Sequence, residues 1–194
     1  MSPQVAASLV DLAARTTSLQ GGTRHEVSPD DLSLAGRELV RDLLDETGWA
    51  EWTSIDCAAN GRPVLRGQPD VGVSISHSRG WVMAGIARDA DIGVDVEVIS
   101  AVFDQPALER MACSLTETKH LQGRSGLARR AAMADLWTEK EAILKAAGVG
   151  LVVDPRLASS LGAEVFRVVP GETGISACIA LLHRRGDDDG GSRR

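Results

Sequence analysis

At either end of the stretch from Val71 to Val98 the side chains alternate with period two, a pattern that leaves little but strand open to those segments. Val71, Val73 and Ile75 alternate with Gly72, Ser74 and Ser76, and Ile92, Val94, Val96 and Val98 alternate with Asp91, Gly93, Asp95 and Glu97. Such alternation puts one set on each face of a half-buried strand. Trp81 to Ala87 reads as a strand returning from a turn at Arg79-Gly80, and Asp89 to Asp91 as a second turn. Together the segments predict an antiparallel meander.

Helical patterns flank this centre. Ser28-Pro29-Asp30-Asp31 supplies a cap, a proline suited to a first turn, and acids that complement the helix dipole. Leu32, Ala35, Leu39, Val40, Leu43 and Leu44 form the apolar face, and Gly48 ends the helix. Val5, Leu9, Leu12 and Ala13 predict a weakly helical start opening at Ser2-Pro3, followed by a loop over 17–26. Trp49 to Ile55 reads as a short strand. Ser114 to Glu117 is a capping-box pattern, and residues 127–147 form the longest helical pattern, closed by Gly148. Strands return at 164–169 and 174–182, and the polar, glycine-rich tail 186–194 is expected to be disordered. This order predicts an α+β fold of two similar halves, 1–98 and 99–185, although the sequence holds no clean internal repeat.

With 194 residues, 43% apolar, the chain can bury a core without disulfides or a structural metal. It contains no apolar run long enough for a transmembrane helix, and its start lacks a secretory pattern. Cys57, Cys113 and Cys178 are scattered, so each is expected to be a small apolar filler in a reducing, cytoplasmic setting. A net charge of −6 and the absence of Tyr argue against a nucleic-acid partner. A small phosphorylated ligand remains compatible, because a few basic side chains can converge locally.

Four groups of residues could carry chemistry. Asp95 and Glu97 share one face of their strand, where they would either be solvated or be offset by a cation. A hard divalent ion such as Mg²⁺ prefers such an oxygen cluster. Trp137, Glu141 and Lys145 follow at i, i+4 and i+8, so they share a helix face, either as a core anchor with a surface ion pair or as part of a site. Ser76-His77-Ser78 ends a strand, where a histidine could bind phosphate or be merely structural. No GxSxG elbow accompanies it, and His25, His120 and His183 are isolated, which argues against hydrolase and zinc chemistry. Gly61-Arg62-Pro63 is a turn that exposes a cation.

Taken in order, GRP (61–63), SISHS (74–78), GVDVE (93–97) and WTEKEAILKAAG (137–148) resemble the Sfp-type 4′-phosphopantetheinyl transferases. That family carries a G-K/R-P turn, an S-H-S strand end, a G-(V/I)-D-(V/I)-E strand and a W-x-x-K-E-(A/S)-x-x-K helix. Leu34 to Arg41 is similar to the family's L-x-G-x-x-L-x-R stretch, with Leu32 near where a basic residue is common. The chain is short for the family before Gly61, and its start reads as helix or loop where the family begins with strand.

The resemblance implies a pseudo-twofold pair of α/β halves with the active site in the cleft between them. It implies Mg²⁺-dependent transfer of phosphopantetheine from coenzyme A to a serine of an acyl or peptidyl carrier protein, with release of adenosine 3′,5′-bisphosphate. Asp95, Glu97 and Glu141 match the family's metal ligands. Lys145 matches the lysine at the reacting phosphate, and Arg62, Ser76, His77 and Lys140 match coenzyme A contacts. Glu141 is the candidate base for the carrier serine and Lys145 the candidate to stabilise the leaving oxygen. Arg124, Arg129 and Arg130 are candidates, by charge, to dock an acidic carrier. A monomer would suffice. The alternatives are a family member repurposed to bind coenzyme A without transfer, and a different metal-dependent phosphoryl enzyme, which no P-loop supports.

Overall fold

The computed structural model describes residues 3–12, 14, 27–169 and 174–184. The expected loop at 17–26, His25 within it, and the tail 186–194 lie outside the described residues, whereas the helical reading of the start falls on the described residues 3–12.

That reading is corrected. Gln4–Asp11 is strand β1, paired antiparallel with β5 (Trp81–Arg88) from Gln4↔Arg88 to Asp11↔Trp81. A spacing of four suits both a helix and one face of a strand, and the free edge of β5 decides between them by offering a ladder of hydrogen bonds.

Helix α1 (Pro29–Thr47) follows as the sequence predicts. Ser28 caps it in a reciprocal capping box with Asp31, and Gly48 closes it in the left-handed conformation. Its glycine has a packing reason: a Cβ on Gly36 would lie 2.5 Å from Ile75 Cγ2. Trp49 to Ser54 is not strand. Trp49, Ala50 and Trp52 instead pack irregularly on the first core, and strand β2 is Ile55–Cys57.

The first sheet has the order β1-β5-β4-β3-β2, with β3 Pro63–Leu65 and β4 Val71–Ser78. The hairpin of β4 and β5 forms as expected, but the meander stops there. Strand β6 (Ala90–Val98) leaves for a second sheet of order β6-β8-β7, with β7 Glu164–Val168 and β8 Ile175–His183. Two glycines let it cross the first sheet closely. A Cβ on Gly72 would lie 2.7 Å from the Ala90 carbonyl, and one on Gly85 2.6 Å from Val94 Cγ1.

The layers follow from which side chains share a core. Val73, Val82, Ala84 and Ile86 pack under α1. Met83 and Ala87, on the other face of β5, pack with Ile92, Val94 and Val96 of β6 and with Ala177 and Leu181 of β8. Cys178 and Ala180, on the far face of β8, pack against Ala142, Ile143 and Ala146 of the long helix. Sheet thus lies on sheet, with a helix outside each.

After Val98 come helices α2 (Pro106–Ala112), α3 (Leu115–Leu121) and α4 (Gly126–Ala147), then 3-10 turns at Gly150–Val152 and Pro155–Leu161. Ser114 and Glu117 form the predicted capping box at the start of α3. Cys113 and Cys178 are buried, and burial pushes their thiols up to about 11 and about 12. Cys57 is exposed, which corrects its reading as filler. No helix among the described residues is long and apolar enough to cross a membrane.

Candidate functional site

Strand β6 and helix α4 meet along two stripes that the sequence already spaces. Helix residues 137, 141 and 145 advance about 6 Å per step, and strand residues 95 and 97 about 6.7 Å. The stripes run so that Trp137 lies beside Glu97 at one end while Lys145 contacts Asp95 at the other. Glu141 lies between, within electrostatic reach of Asp95, Glu97 and Lys145. Gly93 makes the approach possible, because a Cβ there would sit 1.9 Å from the Ala142 carbonyl and 2.5 Å from Ala146 N.

Lys145 uses its whole ammonium group here. Nζ donates to Asp95 Oδ1 at 2.6 Å, to Ser76 Oγ at 3.0 Å and to the Val94 carbonyl at 3.2 Å. Ser76 Oγ in turn donates to Asp95 Oδ1 at 2.7 Å. Asp95 is buried, yet its Oδ2 has no hydrogen-bond partner, alone in this respect among the buried side-chain polar atoms of the described residues. Such an orphaned oxygen is costly unless something else completes it.

The neighbouring acids are held above their ordinary range. Burial raises Glu97 most. The hydroxyl of Ser78 opposes this, the Asp95 charge adds to it, and Lys145 and Trp137 pull the other way. Burial also raises Glu141, Lys145 counters, and the charges of Asp95 and Glu97 raise it further. Two half-buried carboxyls near a third acid and one lysine make a site that resists full ionisation.

Of these four groups, Glu141 and Lys145 line a cavity of about 300 Å³, together with Arg62, Pro63, Ser74, Ile75 and Gly148 among others, while Asp95 and Glu97 lie outside its lining. Arg62 is held by Asp91, its Nη2 lying 3.0 Å from Oδ1, and Arg184 shares that oxygen at 3.1 Å. Asn60 ties the turn to the end of α4 by donating to the Gly148 carbonyl at 2.8 Å.

His77 points from the opposite face of β4 into a second hollow of about 250 Å³, with Arg37, Asp56 and Cys57. Gly61, Pro63 and Ile75 line both cavities, so the GRP turn is the ridge between them. Lys140 stands apart from both. It is buried, paired with Glu117 at 2.7 Å and donating to the Pro155 carbonyl at 3.1 Å. Burial would raise Glu117, but hydrogen bonds from Lys140 and Ser114 hold it below its ordinary value. Of the basic residues beside α4, Arg129 is paired with Glu109 and Arg130 with Asp104, so their charges are offset.

Ser74 and Ser78 escape a reading based on the strand's apolar face alone. Their hydroxyls accept the N–H groups of Val94 at 2.9 Å and Val98 at 3.2 Å, along the edge of β6 that β8 leaves unpaired. Ser78 also donates to Glu97 Oε2 at 2.8 Å. The signal was Ser-x-Ser-x-Ser itself: three hydroxyls on one face, which the structure turns toward β6, burying Ser74 and Ser76 and half-burying Ser78.

The donor set suits a hard cation, since it consists of carboxylate oxygens with one buried oxygen unsatisfied. As they stand, however, no three His, Cys, Asp or Glu side chains among the described residues are gathered to hold a metal ion. Lys145 takes up Asp95 Oδ1 instead.

Residues 91–181 match the sequence model of the 4′-phosphopantetheinyl transferase superfamily. The chain is 32% identical over 121 residues to the 4′-phosphopantetheinyl transferase psf-1 of Bacillus pumilus, covering 61% of this chain and 51% of that protein. It is 30% identical over 125 residues to a 4′-phosphopantetheinyl transferase of Bacillus subtilis, covering 60% of this chain and 54% of the relative. The chain thus spans about half the length of these curated relatives. The resemblance read from the motifs is shown over this stretch, which holds Asp95, Glu97, Glu141 and Lys145.

Proposed function

We propose, from this likeness and from the meeting of Asp95 and Glu97 with Glu141 and Lys145, the latter two lining a cavity, that the protein transfers phosphopantetheine from coenzyme A to a serine of an acyl or peptidyl carrier protein. The observation that carries the reading is the junction of strand β6 with helix α4, where three acids and one lysine lie within electrostatic reach of one another. Asp95, Glu97 and Glu141 would hold Mg²⁺, with the unpartnered Asp95 Oδ2 as the first open position. A bound Mg²⁺ would bring positive charge to the diphosphate and to the phosphorus under attack.

The chain's own residues do the rest. Glu141, raised above the ordinary carboxyl range chiefly by burial, accepts the proton of the carrier serine. The serine oxygen bonds to the phosphorus that bears pantetheine, and the bond to adenosine 3′,5′-bisphosphate breaks. Lys145 turns from Asp95 to the departing oxygen. Arg62, oriented by Asp91, and His77, across the GRP ridge, supply donors to the phosphates of coenzyme A. Ser76 orients both Asp95 and Lys145. Contact of Lys140 with coenzyme A would require its pair with Glu117 to part.

A two-halves arrangement belongs to the same reading, with the division before β6 rather than at the 98/99 boundary read from the sequence. It is supported by a shared order, in which an opening strand, helix and the last two strands of each sheet give β1-β5-β4 and β6-β8-β7 with the first strand beside the last, the first sheet adding β3 and β2 at its far edge. The strand β1 also removes the helical start that departed from the family's pattern. The reading places the protein in the cytoplasm as a monomer.

The test mixes the protein with coenzyme A, Mg²⁺ and a set of apo-carrier proteins and reads the mass of each carrier. A gain of one phosphopantetheinyl group on serine is expected. Binding of coenzyme A with no carrier modified would favour a repurposed binder and overturn the transferase reading.

A further inference from the structure

We propose that Ser78 is a positioning residue that fixes the Glu97 carboxylate for a divalent cation; the inference rests on the reading above. The hydroxyl of Ser78 is committed on both sides. Its oxygen accepts the Val98 N–H at 3.2 Å, and its single proton goes to Glu97 Oε2 at 2.8 Å. Because Val98 follows Glu97 by one residue, one hydroxyl clamps both the backbone beside the acid and the acid itself.

Trp137 of helix α4 lies beside the same carboxylate. Ser78 occupies one position on Glu97 Oε2, and a carboxylate still has lone pairs to spare for a cation. Ser76 makes the matching contact to Asp95 Oδ1 one pleat away. The alternation of β4 thus delivers one hydroxyl to each acid of β6.

Ser78 is itself pinned. It closes the hairpin opposite Trp81 across a two-residue turn in which Arg79 has φ 50° and Gly80 φ 104°. Positive φ is unusual for a residue with a side chain, and it persists where the surroundings over-determine it. The N–H of Leu12, the residue after strand β1, donates to the Gly80 carbonyl at 2.9 Å and so ties this turn to the end of β1. A hydroxyl at the end of a strand would otherwise be among the looser groups of a sheet.

The test is titration with Mn²⁺ alone, without coenzyme A or carrier, of wild type, Ser78→Ala, Ser78→Thr, Glu97→Gln and the Ser78→Ala/Glu97→Gln double variant. Orienting contacts to metal ligands typically carry roughly tenfold or more in affinity, so Ser78→Ala is expected to weaken Mn²⁺ by about that factor. Ser78→Thr, which keeps the hydroxyl, recovers wild-type affinity. In the Glu97→Gln background Ser78→Ala weakens it no further. Should Ser78→Ala fail to fold, Ser78→Cys gives the same comparison with a weaker donor. Wild-type affinity in Ser78→Ala, or equal weakening with and without the Glu97 carboxylate, overturns the role of Ser78 and leaves the site reading standing. If the wild type binds no Mn²⁺, both fall.

Discussion

The ammonium of Lys145 lies 2.6 Å from Asp95 Oδ1, with the aspartate side chain almost wholly buried and the lysine a third exposed. Removing the lysine leaves a buried carboxylate with one oxygen already unpartnered. Breaking a fully buried pair this way costs about 3–5 kcal/mol. Solvent at Lys145 lowers that, so Lys145→Met should lose about 1–3 kcal/mol in urea unfolding without divalent ions. Added Mg²⁺ should restore part of the loss. In the transfer assay the same variant should lower kcat more than it raises KM for coenzyme A, and the reverse pattern would make Lys145 a recognition residue.

Stability should decline as pH rises through the mildly acidic range. Glu97 and Glu141 have folded-state values raised above their ordinary 4.5, chiefly by burial. A group raised on folding contributes stability that is fully present below its unfolded value and is lost as pH climbs through its folded one. Glu117 works in the opposite window, because its lowered value contributes above 4.5 and is lost on acidification. The urea midpoint without divalent ions should therefore pass through a maximum and fall toward neutrality. Glu141→Gln should flatten the falling limb, and an unchanged limb would remove Glu141 from the cluster.

What the sequence made legible was local and periodic. The cap at Ser28, the box at Ser114 and the stop at Gly148 need only neighbours in the chain, and each stands where its residues predict. The facing stripes 95/97 and 137/141/145 were equally readable, since spacing alone fixes which side chains share a face. Contacts set by distant packing were hidden. Nothing local in Val5 to Leu12 says that β5 has a free edge to fill, and nothing in GVDVE says that β6 abandons its hairpin neighbours. Lys140 looks like a ligand-facing cation by motif, yet one residue of helix turns it about 100° from Glu141, toward Glu117.

Gly93 separates strand and helix by the absence of a side chain. Its substitution by Ala would drive a methyl into the Ala142 carbonyl and Ala146 N, which are backbone atoms that cannot rotate away. Overpacking of this kind costs about 1–3 kcal/mol even where side chains can shift. Gly93→Ala should reach at least the top of that range by urea unfolding and should also weaken Mn²⁺ binding, because Glu141 moves with the helix. A variant of wild-type stability would mean that β6 and α4 are less closely packed than described.

Lys140 and Glu117 form a pair that joins α3 to α4, with the lysine only 3% exposed and a further bond to the Pro155 carbonyl. Lys140→Ala leaves Glu117 facing a cavity without its counter-charge, a loss of about 3 kcal/mol for a pair this buried. Because Lys140 lines neither cavity beside the GRP turn, its removal should leave the Kd for coenzyme A unchanged in calorimetry on folded protein. Arg62→Ala, by contrast, takes a guanidinium from the cavity wall and should weaken coenzyme A by roughly tenfold or more, the loss expected for a charge-assisted contact. A large effect of Lys140→Ala on coenzyme A affinity would show that the pair opens on binding and returns Lys140 to the ligand.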